Sequence, residues 1–136
     1  MDVLFFNWFL RKINDDCSAC NAGGDYIINL FARDMKLIKA HPEWGARVVY
    51  KEKQMVNGVE SYCIEAEMPK AQHPEFYAYK VRICGDTQTG LPNGIQIWDF
   101  ADGKVRLVED YSYTDIKINV GLTDKDFSPA NPEYEF

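Results

Sequence analysis

The sequence lacks the motifs by which most hydrolases and nucleotide-binding enzymes are identified. It contains no G-x-S-x-G nucleophile elbow, no H-E-x-x-H zinc motif and no phosphate-binding glycine loop. Its two histidines, His41 and His73, each precede a proline, which places them at turns rather than at positions suited to a general base. We therefore expect no catalytic residues, no cofactor and no enzymatic activity.

Cysteines are few, and their spacing does not complete a metal site. Cys17 and Cys20 form a C-x-x-C pair, whereas Cys63 and Cys84 are isolated and expected on separate strands. A structural zinc site needs two further ligands, usually a second close-spaced pair. No metal site is predicted. For Cys17 and Cys20, a disulfide in an oxidising compartment and two unused loop thiols both stay open.

A concentrated positive charge and a long hydrophobic run are also missing. The net charge is -6, with acids and bases mixed along the chain, which argues against nucleic acid as a partner and against a polybasic membrane anchor. The apolar run near the N-terminus is too short to span a bilayer, so any membrane contact is expected to be peripheral. Asp2 precedes this run and Arg11 and Lys12 follow it, the reverse of a secretory signal peptide. We expect an amphipathic helix there.

What the chain does have is the composition of a single sheet-rich domain. Its 136 residues are 46% hydrophobic and 14% aromatic. The helical part is expected at about residues 1–44, the antiparallel sheet at about 46–122 and a tail at 123–136. The predicted fold class is α+β, with N-terminal helices packed on a curved antiparallel sheet.

One helix can be placed in detail. Asp25 is a suitable N-cap, and the His41-Pro42 pair is expected to end the helix, because the residue before a proline is disfavoured in the helical conformation. The positions recurring at helix spacing are Ile27, Leu30, Phe31, Asp34, Leu37 and Ile38.

The Asn57-Gly58 pair predicts a β-hairpin, and burial selects its register. A two-residue loop would pair Val56 with Val59 and mix charged and apolar residues on both faces. A three-residue loop with Gly58 as a bulge pairs Met55 with Val59 instead. That register puts Tyr50 opposite Ile64 and Val48 opposite Ala66, so we predict the three-residue loop. Glu65 and Glu67 then point outward, near Arg47.

Later segments continue the strand pattern. Tyr79, Val81 and Ile83 alternate with polar residues, a further strand is expected at about residues 95–100, and residues 101–103 form a turn. Residues 105–120 are predicted to form one long final strand with a β-bulge near Thr114-Asp115, which would reconcile its two halves on one concave face. Thr123 or Asp124 is expected to cap a short helical turn in a segment that has too few oxygens for an EF-hand.

The ending NVGLTDKDFSPANP resembles the closing motif of a bacterial envelope family, domain of unknown function 1571. The matching positions are Asn119, Val120, Gly121, Leu122, Thr123, Asp124, Asp126, Phe127, Pro129, Asn131 and Pro132, whereas Ser128 replaces an expected acid. The likeness is fairly specific at this motif and looser back to about Ala46. Such proteins look related to the LolA/LolB type of lipoprotein carriers, in which a curved half-barrel sheet wraps helices around an apolar cavity. The resemblance implies the periplasm or cell envelope, and a chain that is a C-terminal portion with an incomplete sheet.

The candidate ligand-binding residues lie on one sheet face and, in the case of Phe31, on the helix expected to cover it. These are Phe31, Tyr62, Ile64, Tyr79, Val81, Ile83, Ile97, Tyr111 and Tyr113. Tyrosine suits the rim of an apolar pocket because it combines a large ring with a hydroxyl. The same residues are also what a hydrophobic core requires, and that interpretation is the favoured one. The expected function is non-catalytic binding of a lipid or lipoprotein acyl chain. The alternative is a structural or protein-interaction module that acts through an open sheet edge.

Overall fold

The computed structural model describes residues 24–132, which form one α-helix beside a five-stranded antiparallel sheet. The elements are α1 (Gly24–Ala40), β1 (Arg47–Val56), β2 (Val59–Glu67), β3 (Lys80–Asp86), β4 (Pro92–Ala101) and β5 (Lys104–Ser112), with 3₁₀ turns at Pro42–Trp44 and Asp124–Phe127. The sheet is an open meander in which each strand pairs with the next along the chain. This confirms the α+β class. The expected first helix and the loop with Cys17 and Cys20 lie outside the described residues.

Helix α1 forms where the apolar spacing predicts it. It begins at Gly24, so Asp25 lies in its first turn, and it ends before the His41-Pro42 pair, as predicted. Its buried face consists of Ile27, Ile28, Phe31, Asp34 and Met35. This face packs on the apolar side of the sheet, and the two together make the core.

The hairpin of β1 and β2 has the predicted pairs between residues 47–51 and β2, but a different turn and different pairs next to it. Val56 pairs with Val59, and Asn57 and Gly58 both have positive φ angles of 51° and 78°, so the loop has two residues and our three-residue prediction is wrong. The extra residue sits inside β1 instead, where the register shifts between Lys51 and Gln54. Lys53 takes a φ of 53° in this bulge. Tyr50 therefore still lies opposite Ile64.

The long final strand is shorter than predicted. β5 ends at Ser112, and the chain beyond it turns at Asp115 and Asn119, which have φ angles of 52° and 57°. The bulge that changes the parity of β5 lies between Leu107 and Glu109, opposite Ile97-Trp98, and not at Thr114-Asp115. The short turn at Asp124–Phe127 has Thr123 as its N-cap, as predicted, with the Thr123 N–H donating to Asp126 Oδ2 over 2.6 Å.

The connection between β2 and β3, residues 68–79, is fastened to α1 by a buried carboxylate. Asp34 is 0% exposed; its Oδ2 accepts a hydrogen bond from the Tyr77 backbone N–H at 2.9 Å, and its Oδ1 pairs with Arg33 at 2.9 Å. Arg33 also donates to the Glu75 carbonyl. Burying a carboxylate is costly unless it is paired, and here each oxygen has a partner. The connection is thus held over one end of the helix.

The sheet face away from α1 is held by a disulfide and by charged side chains. Cys63 and Cys84 lie on separate strands, as predicted, but they are directly opposite on β2 and β3 and are bonded to each other, a pairing that the sequence analysis did not predict. Glu65 pairs with Lys51 at 2.8 Å and lies 3.6 Å from Arg82, rather than pairing with Arg47. The hydrogen bond from Lys51 holds the pKa of Glu65 below its usual value.

Candidate binding surfaces

Six of the nine predicted ligand residues come together between α1 and the sheet. They are Phe31, Tyr62, Ile64, Val81, Ile83 and Ile97, and each is at most 3% exposed. Alternation along β2, β3 and β4 turns these side chains toward the helix, and cross-strand pairing aligns them, with Ile64 opposite Ile83 and Val81 opposite Ile97. They form one hydrophobic cluster with the buried face of α1. Their contact with a ligand stays a prediction.

The other three predicted residues are arranged differently. Tyr113 is partly buried and packs against the cluster. Tyr111 is 40% exposed at the rim and donates a hydrogen bond to Glu109 over 3.0 Å. Tyr79 does not share the helix-covered face: its hydroxyl donates to Glu67, and its ring lies 5.4 Å from that of Phe100, on the side of the sheet away from α1. For Tyr79 the prediction of a common face is wrong.

Three tyrosines on this side of the sheet, Tyr62, Tyr77 and Tyr111, have raised pKa values. Burial raises the pKa of the Tyr62 phenol, and burial together with a 2.6 Å hydrogen bond to Glu109 raises the pKa of Tyr77. The hydrogen bond to Glu109 likewise raises the pKa of Tyr111. A phenol with a raised pKa is a hydrogen-bond donor and a poor nucleophile near neutral pH. Tyr77 and Tyr111 use this donor capacity to hold the Glu109 carboxylate by hydrogen bonds.

An apolar patch lies on the sheet face away from α1, at the end where β4 turns into β5. We call this the outer patch, and it consists of Trp98, Phe100, Val105 and Leu107. Trp98 pairs with Leu107 and Phe100 with Val105 across the two strands. Phe100, Val105 and Leu107 are 44%, 43% and 45% exposed. Alternation alone does not predict this patch. Leu107 and Tyr111 have the same parity in the sequence, but the bulge in β5 puts them on different faces of the sheet.

Polar and charged groups flank the outer patch. The Lys80 ammonium lies 4.9 Å from the centre of the Trp98 ring, a cation–π contact, and the Tyr79 ring borders Phe100. An apolar surface rimmed by polar groups is the usual form of a surface that binds something, since large exposed apolar areas are otherwise disfavoured. Exposed apolar side chains also recur after β5. They are Ile116, Ile118, Val120, Leu122 and Phe127.

A polar cleft of about 320 Å³ occupies the other end of the same face. Its walls include Arg82, Gln96 and Asp110, and Gly94 leaves its floor without a side chain. The tip of the β1–β2 hairpin closes one side, where the Asn57 amide donates to Ser112 Oγ over 2.6 Å. Arg82 already donates to Gln96 Oε1 at 3.1 Å, so this guanidinium serves the sheet itself.

Both histidines lie against one tryptophan. The Trp44 ring is stacked between His41 at 4.0 Å and His73 at 3.9 Å, measured between ring centres. His41 Nδ1 lies 3.0 Å from Glu43 Oε1. A backbone hydrogen bond, and to a smaller extent this contact with His41, lower the pKa of Glu43. The stack joins the end of α1 to the 68–79 connection. Both histidines lie at turns, as expected.

Residues 24–132 contain neither a cluster suited to a metal ion nor a helix suited to crossing a bilayer. No group of three or more His, Cys, Asp or Glu side chains in that part is arranged to hold a metal ion. No helix in it has the length and apolar character that crossing a bilayer requires.

Comparison with known proteins places the chain in a family. The model of the family described as Protein of unknown function (DUF1571) matches residues 20–136. The chain belongs to this family. The match reaches farther toward the N-terminus than the likeness seen from about Ala46, so α1 is part of the DUF1571 domain together with the sheet. No curated protein and no solved structure matches the chain.

Proposed function

We propose that this DUF1571 domain is a non-catalytic binding domain for an apolar ligand, a lipid or the acyl chain of a lipoprotein, in the cell envelope. The outer patch is the observation that carries the proposal. Phe100, Val105 and Leu107 stay more than two-fifths exposed although a covered apolar face exists on the other side of the same sheet. Apolar area left in water costs roughly 25 cal/mol per Å², so a ligand that covers it gains that free energy.

The ligand proposed for the outer patch is a single acyl chain with an anionic head. Trp98 and Leu107 form one cross-strand pair and Phe100 and Val105 the next, which gives an apolar strip along two strands. Lys80 stands beside this strip with its ammonium over Trp98. A carboxylate or phosphate at the end of the chain can pair with that ammonium. In this proposal the ligand lies outside the helix–sheet core, whose side chains are buried against one another.

The disulfide supports the proposed location. Cys63 and Cys84 are both buried, at 0% and 2% exposure, and are bonded to each other. Structural disulfides persist in oxidising compartments such as the periplasm and are rare in the cytosol. The relationship to LolA/LolB-type carriers is part of the same proposal, supported by an open antiparallel sheet with a helix on one face.

Binding of a 16-carbon fatty acid to the full chain tests the proposal. We expect saturable binding by native mass spectrometry and calorimetry, weakened about tenfold by Phe100→Ser or Leu107→Ser, since each removes exposed apolar surface from the patch. Tyr26→Ser is the matched control, because Tyr26 is exposed on α1, away from the patch. Absence of binding, or equal weakening by Tyr26→Ser, contradicts the proposal. Weakening by Ile83→Ala alone would move the site into the core.

A second candidate function is protein interaction through an open sheet edge. The sheet order ends at β5, and within residues 24–132 this strand pairs only with β4. An unpaired strand edge presents backbone N–H and C=O groups that another polypeptide strand can satisfy. A lipid chain cannot satisfy them. The two candidate functions therefore use different parts of β5 and can be separated by experiment.

A further inference from the structure

Strand β5 is a long edge strand whose outer edge pairs with no other described strand. It has nine residues, more than the five or six that are usual for strands. Its large side chains Val105, Leu107, Val108 and Tyr111 are each at least 40% exposed. No backbone hydrogen bond joins residues 105–111 to any described residue outside β4. Such an edge is a template for one more strand.

The opposite edge of the sheet differs in this respect. β1 carries a bulge formed by Glu52 and Lys53, and Lys53 there adopts a positive φ angle. A bulge leaves its extra residue unpaired, and charged side chains in it further disfavour the addition of a strand at that edge. The bulge in β5 instead consists of the two apolar residues Leu107 and Val108, 45% and 46% exposed. Of the two edges, β5 is the one suited to association.

The charges along β5 indicate the partner. Lys104 and Arg106 make its first half basic, and Glu109 and Asp110 make its second half acidic. By their pairing with β4, Arg106 and Glu109 lie on the sheet side that α1 covers, whereas Asp110 lies on the other side. Glu109 also accepts hydrogen bonds from Tyr77 and Tyr111. When two copies of this strand run antiparallel about Leu107-Val108, Arg106 of each copy lies opposite Glu109 of the other, on the same side of the sheet. A strand of identical sequence is therefore a complementary partner, and opposite charges in cross-strand positions stabilise the pair.

We propose that two copies of this chain associate edge to edge through β5, antiparallel about a two-fold axis near Leu107-Val108, so that the two five-stranded sheets form one continuous sheet. The proposal names the partner for the second candidate function and rests on it. It leaves the helix-covered core untouched, and it brings the exposed Leu107 and Val108 of the two copies together. Two-fold symmetry of this kind is the commonest arrangement among homo-oligomers.

A charge-reversal mixing experiment tests the dimer. Lys104→Glu/Arg106→Glu makes both members of the Arg106–Glu109 cross-strand pair acidic, and Glu109→Lys makes both members basic. Each variant alone should be monomeric under conditions where the unaltered chain dimerises, with its dimer dissociation constant raised about tenfold or more. The two variants mixed in equal amounts should form a heterodimer. Sedimentation velocity from low micromolar to several hundred micromolar, with native mass spectrometry, measures both results.

Two controls make the outcome specific to β5. Lys36→Glu/Lys39→Glu makes the same change in net charge on the exposed side of α1 and should dimerise like the unaltered chain. Hydrogen exchange should show new protection of β5 amides on dimerisation. A monomeric unaltered chain, a mixture that stays monomeric, or protection confined to β1 each overturns the proposal. Fatty-acid binding measured on the monomeric variants reports separately on the lipid proposal.

Discussion

The Tyr77 hydroxyl joins the 68–79 connection to β5 through a single short hydrogen bond. It donates to Glu109 Oε1 over 2.6 Å, while the Tyr77 backbone N–H donates to the buried Asp34. Burial and the bond to Glu109 both disfavour the phenolate and raise the pKa of Tyr77. One residue thus links the helix, the connection and the edge strand, and it does so only while its hydroxyl keeps its proton.

This raised pKa predicts an alkaline loss of stability. In the unfolded chain a tyrosine ionises near pH 10, so above about pH 10 the unfolded state releases the Tyr77 proton before the folded state does. The free energy of unfolding therefore falls as the pH rises beyond 10. Tyr77→Phe should make that fall shallower, and at neutral pH it should cost about 1 kcal/mol for the lost hydrogen bond.

Urea unfolding between pH 7 and pH 11 measures the effect. Tyr26→Phe, a change at an exposed tyrosine on α1 whose charge is only a minor cause of the raised Tyr77 pKa, is the control and should alter the pH dependence much less than Tyr77→Phe does. Equal slopes in the Tyr77→Phe variant and the unaltered chain would show that this proton is not linked to folding.

Single residues mark the limit of what a pattern can predict. The 3.6-residue spacing correctly put Asp34 on the helix face with Ile27 and Phe31, but spacing gives a face and not a partner. The partner of Asp34 is a backbone N–H 43 positions away. In the same way, alternation put Cys63 and Cys84 on separate strands but did not show that they are opposite each other. That depends on the β2–β3 register, which the sequence does not fix, because the long connection of residues 68–79 is irregular.

At the scale of the elements, the β1–β2 hairpin shows how two errors can compensate. Counting burial alone fixes how Tyr50 and Ile64 align, and those pairs were predicted correctly. It does not fix where the extra residue goes. The Asn57-Gly58 pair prefers the two-residue turn, in which both residues take positive φ, so the surplus residue moves into β1 at Lys53.

The two positive-φ positions should respond oppositely to substitution. Gly58→Ala puts a side chain where φ is 78° and should lower the free energy of unfolding by about 1–2 kcal/mol. Lys53→Gly relieves a residue at φ 53° and should leave stability within about half a kcal/mol or raise it. Urea unfolding compares the two. If Lys53→Gly destabilises as much as Gly58→Ala, the bulge is not where the structure puts it.

The disulfide between β2 and β3 should account for a substantial part of the domain's stability. It closes a loop of 21 residues, for which the chain-entropy argument gives about 3 kcal/mol. Cys63→Ala/Cys84→Ala should therefore unfold at lower urea than the unaltered chain by that amount. Adding reductant to the double variant should change nothing further at this bridge. A loss below about 1 kcal/mol would mean that the bridge is not formed in solution.

For β5, the alternation of apolar residues predicted the wrong strand length and the wrong face for Leu107, because alternation shows neither a bulge nor the point where a strand ends. Leu107 and Tyr111 have the same parity, yet the bulge between them turns them to opposite faces. The apolar residues Ile116, Ile118 and Val120 keep the alternation of a strand, but they are exposed and unpaired in β structure within residues 24–132. Alternating apolar residues show that a segment can form a strand, but the strand forms only where a neighbouring strand is available to pair with it.

At the scale of the whole molecule, the layer arrangement was the most predictable feature. An amphipathic helix followed by alternating segments has few stable solutions other than a helix packed on one face of an antiparallel sheet. The hydrophobic cluster of α1, β2, β3 and β4 realises this arrangement. What binds to the outer patch and to the β5 edge is not encoded in that pattern, because exposed residues are not constrained by the packing that organises the core.

The final prediction concerns the cooperativity of this arrangement. Phe31 is 1% exposed within the cluster that joins α1 to the sheet, a cluster to which the 68–79 connection also contributes Phe76. Phe31→Ala should cost about 3–5 kcal/mol, because it leaves a cavity where the two layers meet. Helix and sheet should nevertheless unfold in one transition, with the urea midpoints from far-ultraviolet circular dichroism and tryptophan fluorescence coinciding. Tyr26→Ala on the exposed side of α1 should cost less than about 1 kcal/mol. A helical signal lost well before the fluorescence change would mean that α1 is an independent lid over a sheet stable by itself. The predicted ligand residues Ile64, Val81 and Ile83 could then be uncovered without unfolding.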